Sequence, residues 1–389
     1  MPGDVMTTSQ SLPDPSPAAL ERSRLLAARL REAIAASGDG VIGFDEFMAM
    51  ALYEPELGYY ANGERIFGRG GDFVTSPEVG SLFADCLAEQ CRELLSCDDV
   101  IVEYGGGSGR LANDLLDALS AHGAAPSRYL MVEPSAGLAA RQRAALSKRA
   151  TRIEWYADHP PAGCSGVVIA NEVLDALPAQ RFVVEDRRWR EVVVGLDGEI
   201  FAWRSRDYDG ALLDHAWAAD LPEGYLTEAQ PGLDAWLRAL RARLTRGVVL
   251  LFDYGYPRHE FLHPARSRGT LQCHYRHHVH DDALRWPGLQ DITASVDFTR
   301  VAEAAFAAGF EVAGYTSQAQ FLLHAGLDAL LAAAADETER YRLAQQAKQL
   351  LLPGAMGQTF KCMALSVGAT PALRGFRHDE RHRLEGFLP

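Results

Sequence analysis

The sequence predicts an α/β fold organised around a doubly wound, mostly parallel sheet. Two observations carry that prediction. From Val100 onward, short apolar runs alternate with helical stretches, the pattern of strands covered by helices on both faces. The first run empties directly into a glycine-rich loop and then a helix, where such a sheet presents its ligand crevice. With 389 residues, 48% hydrophobic and 23% charged, the chain has the size and composition to bury a sizeable core.

In chain order, residues 1–17 form a Ser/Pro-rich head expected to be disordered, lacking the features of a secretory signal or a transit peptide. Residues 18–97 form an N-terminal helical and lid region. Helices are expected over 18–36 and 44–53, the second favoured by Asp45 and Glu46 in its first turn, and another over 81–95. Between them, residues 54–75 carry glycines at 58, 63, 68, 70 and 71, a density that predicts an ordered loop or lid. The main domain spans 98–367. It opens with strand 100–104, helix 111–120, strand 129–133, helix 136–148 and strands 152–156 and 166–170. Insertions interrupt it at about 181–232 and 256–298. The first starts with a hairpin over 181–203, turning at Leu196-Asp197-Gly198-Glu199. A helix over 233–244 and a strand over 248–254 follow. The second insertion, rich in His, Arg, Pro and Gly, resembles a long functional loop more than a packed element. Helix 299–308, strand 310–315, two helical stretches within 318–351 and strand 359–366 complete the domain. Residues 368–389 read as a charged tail.

The formal net charge of −14 argues against attraction to nucleic acid or anionic membranes, and the most apolar long segment, 321–335, is too short to span a bilayer. Six cysteines without a Cys-x-x-Cys pair suit a reducing compartment. The expected setting is a bacterial cytoplasm; the mitochondrial matrix would apply only to a eukaryotic chain, and no transit peptide is seen. Self-association is left open.

The loop Glu103-Tyr104-Gly105-Gly106-Gly107-Ser108-Gly109 is the strongest ligand signal. Glycines at 105, 107 and 109 allow positive φ and close backbone approach. A dinucleotide loop would need a third glycine at position 110, which is Arg110. Glu103 is badly placed against a pyrophosphate but suits the amino group of a methionine moiety, so the cofactor expected is S-adenosyl-L-methionine. Glu133, at the end of the second strand, suits the ribose hydroxyls, and Asp158, after the third, the adenine amino group. Thr75 and Asn171 complete the cofactor-side candidates.

Longer signatures surround the loop. Leu52-Tyr53-Glu54-Pro55-Glu56-Leu57-Gly58-Tyr59-Tyr60, Gly70-Gly71-Asp72-Phe73-Val74-Thr75-Ser76-Pro77-Glu78 and Ala170-Asn171-Glu172-Val173-Leu174-Asp175-Ala176-Leu177-Pro178 resemble the MidA-like family of methyltransferases. Phe252-Asp253-Tyr254-Gly255, the stretch Asp291 to Phe298 and Gly357-Gln358-Thr359-Phe360-Lys361 continue the likeness, which runs from about 43 to 367. The resemblance implies a class I, Rossmann-like methyltransferase fold. For the mitochondrial complex I assembly-factor member it implies symmetric dimethylation of an arginine on a complex I subunit. One departure is Tyr104-Gly105-Gly106, where the family has an aliphatic residue followed by Gly-Pro.

Methyl transfer is an in-line displacement, so alignment dominates, and an arginine substrate adds the need for carboxylates to hold its delocalised cation. Glu172 and Asp175, just past the fourth strand, are the expected catalytic contacts. The competing structural role is a short helix capped by Asn171 with both acids in its first turn. Asp72, His278, Asp291 and Asp297 are substrate-side candidates, while Tyr59 and Tyr60 are expected to pack the lid. Cys273, His274, His277, His278, His280, Asp281 and Asp282 lack a paired-ligand pattern, so no metal is expected. A small-molecule O-methyltransferase and a non-catalytic assembly factor remain the alternative functions.

Overall fold

Strands that are apolar at nearly every position need cover on both faces, and the central strands obtain it. The computed structural model describes residues 12–61, 75–352, 356–368 and 372–384. Residues 1–11 of the expected head, most of the glycine-rich lid including Asp72, and the end of the tail lie outside them. The core strands are β1 (Val100–Tyr104), β2 (Arg128–Val132), β3 (Arg152–Tyr156), β4 (Cys164–Asn171), β5 (Leu244–Tyr256), β6 (Glu311–Ser317) and β7 (Phe360–Val367). They lie in the order β3-β2-β1-β4-β5-β7-β6, with β7 antiparallel to both neighbours and the remaining pairs parallel. The direction of winding reverses between β1 and β4, so the crevice opens beyond their carboxyl ends.

Alternate residues of each strand enter two separate cores. Ile101, Tyr129, Ile169 and Leu250 face helices Leu82–Leu94, Arg110–Ala121 and Glu337–Leu351. Val102, Leu130, Val168 and Leu251 face helices Leu233–Arg241 and Phe298–Ala308. Backbones meet closely at the start of β4. A Cβ on Gly166, at φ +134°, would lie 2.2 Å from the Val100 carbonyl oxygen. Neither the rigid backbone nor that φ tolerates a side chain, so Gly166→Ala is expected to cost about 3 kcal/mol, read as a lower urea midpoint.

The first insertion forms four antiparallel strands, Gln180–Glu185, Arg188–Asp197, Ile200–Asp207 and Leu226–Ala229, rather than one hairpin. Its additional turn is made by Asp186 and Arg187 at φ +51° and +60°, a left-handed pair without the glycine that usually marks one. The expected Asp197-Gly198 turn joins Arg188–Asp197 to Ile200–Asp207.

The second insertion is a packed element, contrary to expectation. Strands Gln272–Tyr275, His278–His280 and Asp291–Thr293 form a small antiparallel sheet. Cys273 and Ile292 are fully buried, sharing a core with Leu30 and Phe47 of helices Pro17–Ala36 and Phe44–Tyr53. Strands of only three or four residues are too short to show the alternation that marks a half-buried sheet.

The tail is also docked. Phe376 packs edge-on against Phe321, and Leu373 and Leu384 are buried. The Glu380 amide donates to the Tyr315 carbonyl at 2.7 Å, and Arg381 Nη1 to the Val312 carbonyl at 2.7 Å, covering the outer edge of β6. Residues 318–351 form three helices, Gln318–His324, Leu327–Ala332 and Glu337–Leu351, rather than two. Among the described residues no helix is long and apolar enough to cross a membrane.

Candidate functional site

The carboxyl ends of β1, β2 and β4 border a cavity of about 420 Å³, within the size range of a small-ligand site. The loop after β1 takes left-handed φ at Gly105, Gly107 and Gly109, of +64°, +52° and +83°. Gly105 and Gly107 line the cavity; Gly109 caps helix Arg110–Ala121 behind it. At Gly106 a Cβ would lie 2.2 Å from Met131 Cε. Met131 therefore occupies the space that the family's proline would need, while the flanking glycine geometry is intact.

Glu103 and Glu133 are buried carboxylates on the cavity wall. Glu103 Oε2 accepts from the Tyr129 hydroxyl at 2.8 Å, and Glu133 accepts from the Ser135 amide at 3.0 Å and Gln142 Nε2 at 2.9 Å. Desolvation outweighs these bonds and pushes each carboxyl up to about 7. Asp158 stands at the rim with an exposed side chain. Beside it the ring of His159 meets the Tyr104 hydroxyl at 3.0 Å.

The far wall is acidic. No helix follows β4: Asn171 ends the strand and Glu172 sits at φ +54°, a strained conformation for a non-glycine residue. The cap-and-dipole role is thus not what the structure shows. Asn171 Nδ2 and the Ser76 amide both donate to Glu172 Oε1, at 3.0 and 3.3 Å. Asp253, on β5, holds the following turn by accepting from the amides of Leu174 and Asp175 at 2.9 and 3.3 Å. Burial, reinforced by Asp175, pushes Glu172 up to about 8, and burial likewise raises Asp175 and Asp253. The Tyr254 hydroxyl and the amides of Asp175 and Ala176 face the Asp175 carboxylate and work against that rise.

Asp291 joins this wall from the insertion sheet, accepting from the Tyr60 hydroxyl at 2.8 Å. Tyr60 stacks on Tyr53, whose hydroxyl donates to the Ala176 carbonyl at 2.8 Å, and both rings line the cavity. Tyr60 thus belongs to the site as well as packing its neighbours, and Tyr53 and Asp253 are additions that spacing alone did not disclose. Thr75 and Asn171 line the cavity.

Two candidates lie elsewhere. Asp297 caps helix Phe298–Ala308, accepting from the Arg300 amide at 3.1 Å, and pairs with Arg258 at 3.0 Å. His278 belongs to the small sheet, where Nδ1 meets the Arg276 carbonyl at 2.8 Å, and is not part of the cavity wall. Among the described residues no three of His, Cys, Asp and Glu are grouped to hold a metal ion.

Buried acids beside a backbone-lined cradle suit an adenosyl ligand carrying an ammonium group. Residues 82–316 match the family described as "Putative S-adenosyl-L-methionine-dependent methyltransferase", which is more than half of the chain. The chain belongs to this family. The methyltransferase is 30% identical to the protein arginine methyltransferase NDUFAF7 homolog, mitochondrial, of Drosophila melanogaster, over 93% of this chain and 88% of that one. It is 28% identical to the protein arginine methyltransferase NDUFAF7, mitochondrial, of Homo sapiens, over 84% and 80%. Its fold matches the crystal structure of a Burkholderia thailandensis protein bound to S-adenosyl-homocysteine with a TM-score of 0.91 and 41% identity, covering 96% of this chain and 100% of that one. The methyltransferase is an S-adenosylmethionine-dependent enzyme with a class I, Rossmann-like fold, in agreement with the resemblance to MidA-like proteins.

Proposed function

We propose that this enzyme methylates arginine side chains of a protein, giving symmetric dimethylarginine on a respiratory complex I subunit. The observation that carries the reading is the acidic wall of Glu172, Asp175 and Asp291, the last two buried, whose like charges call for a cation. The names of the relatives, protein arginine methyltransferases, support the same acceptor. Bound S-adenosylmethionine supplies an electrophilic methyl group. On the cofactor side, Glu103 receives the ammonium group, Glu133 the ribose hydroxyls and Asp158 the adenine amino group, with Gly105, Gly107 and Gly109 giving the close backbone approach.

On the acceptor side, Glu172 and Asp175 fork onto the guanidinium and fix its plane. Glu172, whose proton affinity burial has raised towards neutrality, accepts the proton that the guanidinium must give up. Tyr53 and Tyr60, which line the same cavity, add aromatic surface beside that cation.

The test is incubation of the purified enzyme with methyl-labelled S-adenosylmethionine and lysate of its own organism, followed by hydrolysis of the labelled material. Label is expected in protein as symmetric dimethylarginine. Label confined to small molecules, or no transfer by protein that binds S-adenosylhomocysteine, would overturn the proposal.

A further inference from the structure

Gln142 lies on the helix Ala136–Leu146, outside every signature that marks the cofactor site, and is fully buried. All of its hydrogen-bonding directions converge on that site or its backing. Its Nε2 donates to Glu133 Oε2 at 2.9 Å and to the Gly107 carbonyl at 3.0 Å, and its Oε1 accepts from Trp155 Nε1 at 3.1 Å. An indole N–H only donates, so Trp155 fixes which end of the amide is the acceptor and turns both amide protons towards Glu133 and the loop. The backbone leaves room for this: a Cβ on Gly109 would stand 3.5 Å from Gln142 Cα, and one on Gly106 3.4 Å from Nε2.

We propose that Gln142 is a positioning residue for S-adenosylmethionine, clamping the Glu133 carboxylate at the end of β2 to the glycine loop at Gly107. The inference rests on the reading of Glu133 as the ribose acceptor. The clamp ties together the two strand ends that must grip opposite parts of one ligand, so ligand binding meets a site already set at the right spacing. Glu103 and Tyr53 face Glu133 across the cavity, and neither brings it a positive charge. Arg143 lies over the ring of Trp155, 5.1 Å from its centre. Gln142 and the Ser135 amide are accordingly the groups that favour the charged carboxylate.

The experiment compares S-adenosylhomocysteine binding by calorimetry between pH 6 and 9 in the wild type, Gln142→Leu, Gln142→Glu and Glu133→Ala, with thermal midpoints and the Trp155 indole N–H exchange rate in the ligand-free proteins. Gln142→Leu is expected to weaken binding at least tenfold at pH 7.5, to move the pH at which affinity falls to a higher value, and to speed indole exchange. Gln142→Glu places two carboxyls in contact, and they share one proton. Its affinity is expected to rise as pH falls from 9 towards 6.5, the reverse of the wild type, because the protonated partner again donates to Glu133. Wild-type affinity and pH profile in Gln142→Leu would overturn the clamp. So would equal, pH-independent losses in both Gln142 variants accompanied by lower thermal midpoints. If Glu133→Ala binds as tightly as the wild type, the ribose assignment itself fails; if only the Gln142 variants behave as wild type, the clamp alone fails.

Discussion

Glu172→Gln is expected to bind S-adenosylhomocysteine with an affinity within about threefold of the wild type while losing methyl transfer by about 100- to 1,000-fold, the size typical of one preorganised electrostatic group. The substitution isolates charge from shape. Glu172 Oε1 accepts from Asn171 and from the Ser76 amide, and an amide oxygen can accept both, so the left-handed turn stays in place. What disappears is the negative charge for a guanidinium and the acceptor for its proton. Stability moves the other way. The folded-state value of about 8 lies above the ordinary 4.5, so ionisation of Glu172 removes stability as pH rises from 4.5 through about 8. Ligand-free Glu172→Gln should therefore melt higher than the wild type above pH 8, with the difference vanishing near pH 4. Calorimetry and single-turnover assays at pH 8 check both halves. Full activity would remove Glu172 from the chemistry.

Glu133→Ala is expected to weaken S-adenosylhomocysteine binding about 100-fold, the worth of two charge-assisted hydrogen bonds to a ribose. In the wild type, protonation of Glu133 competes with the ligand. Its value of about 7 places the loss of affinity on the acid side of neutrality, with a plateau above about pH 8. The variant should retain only the part of that acid limb due to Glu103, which has a similar value. An affinity unchanged by the substitution at pH 8, measured by titration calorimetry, would exclude the ribose role.

Much of this site was legible in the sequence because its cofactor half is local. Glu103 and Glu133 end strands and the glycines follow one of them directly, so chain position specified spatial position. The acceptor half is built by long-range contacts. Asp253 holds amides 79 and 78 residues away, and Tyr60 meets Asp291 across 231 residues, separations at which no periodicity speaks. Asp297 illustrates the converse: an acid just before a helix is chemically the same residue whether it caps the helix or contacts a substrate, and only its bonds to Arg300 and Arg258 decide. The second insertion and the docked tail were misjudged for a compositional reason. Polar residues are interspersed through both, so the buried apolar ones, among them Cys273, Ile292, Phe376 and Leu384, fall into no regular period.

The segment that runs past β6 also bears on the solubility of the enzyme. An open sheet edge presents rows of amides and carbonyls on which another chain can build. Here the chain closes that edge itself, with Glu380 and Arg381 engaging the β6 backbone and Arg383 pairing with Glu260 and Glu380. The result is protection against strand-by-strand polymerisation, achieved with few residues and no additional strand.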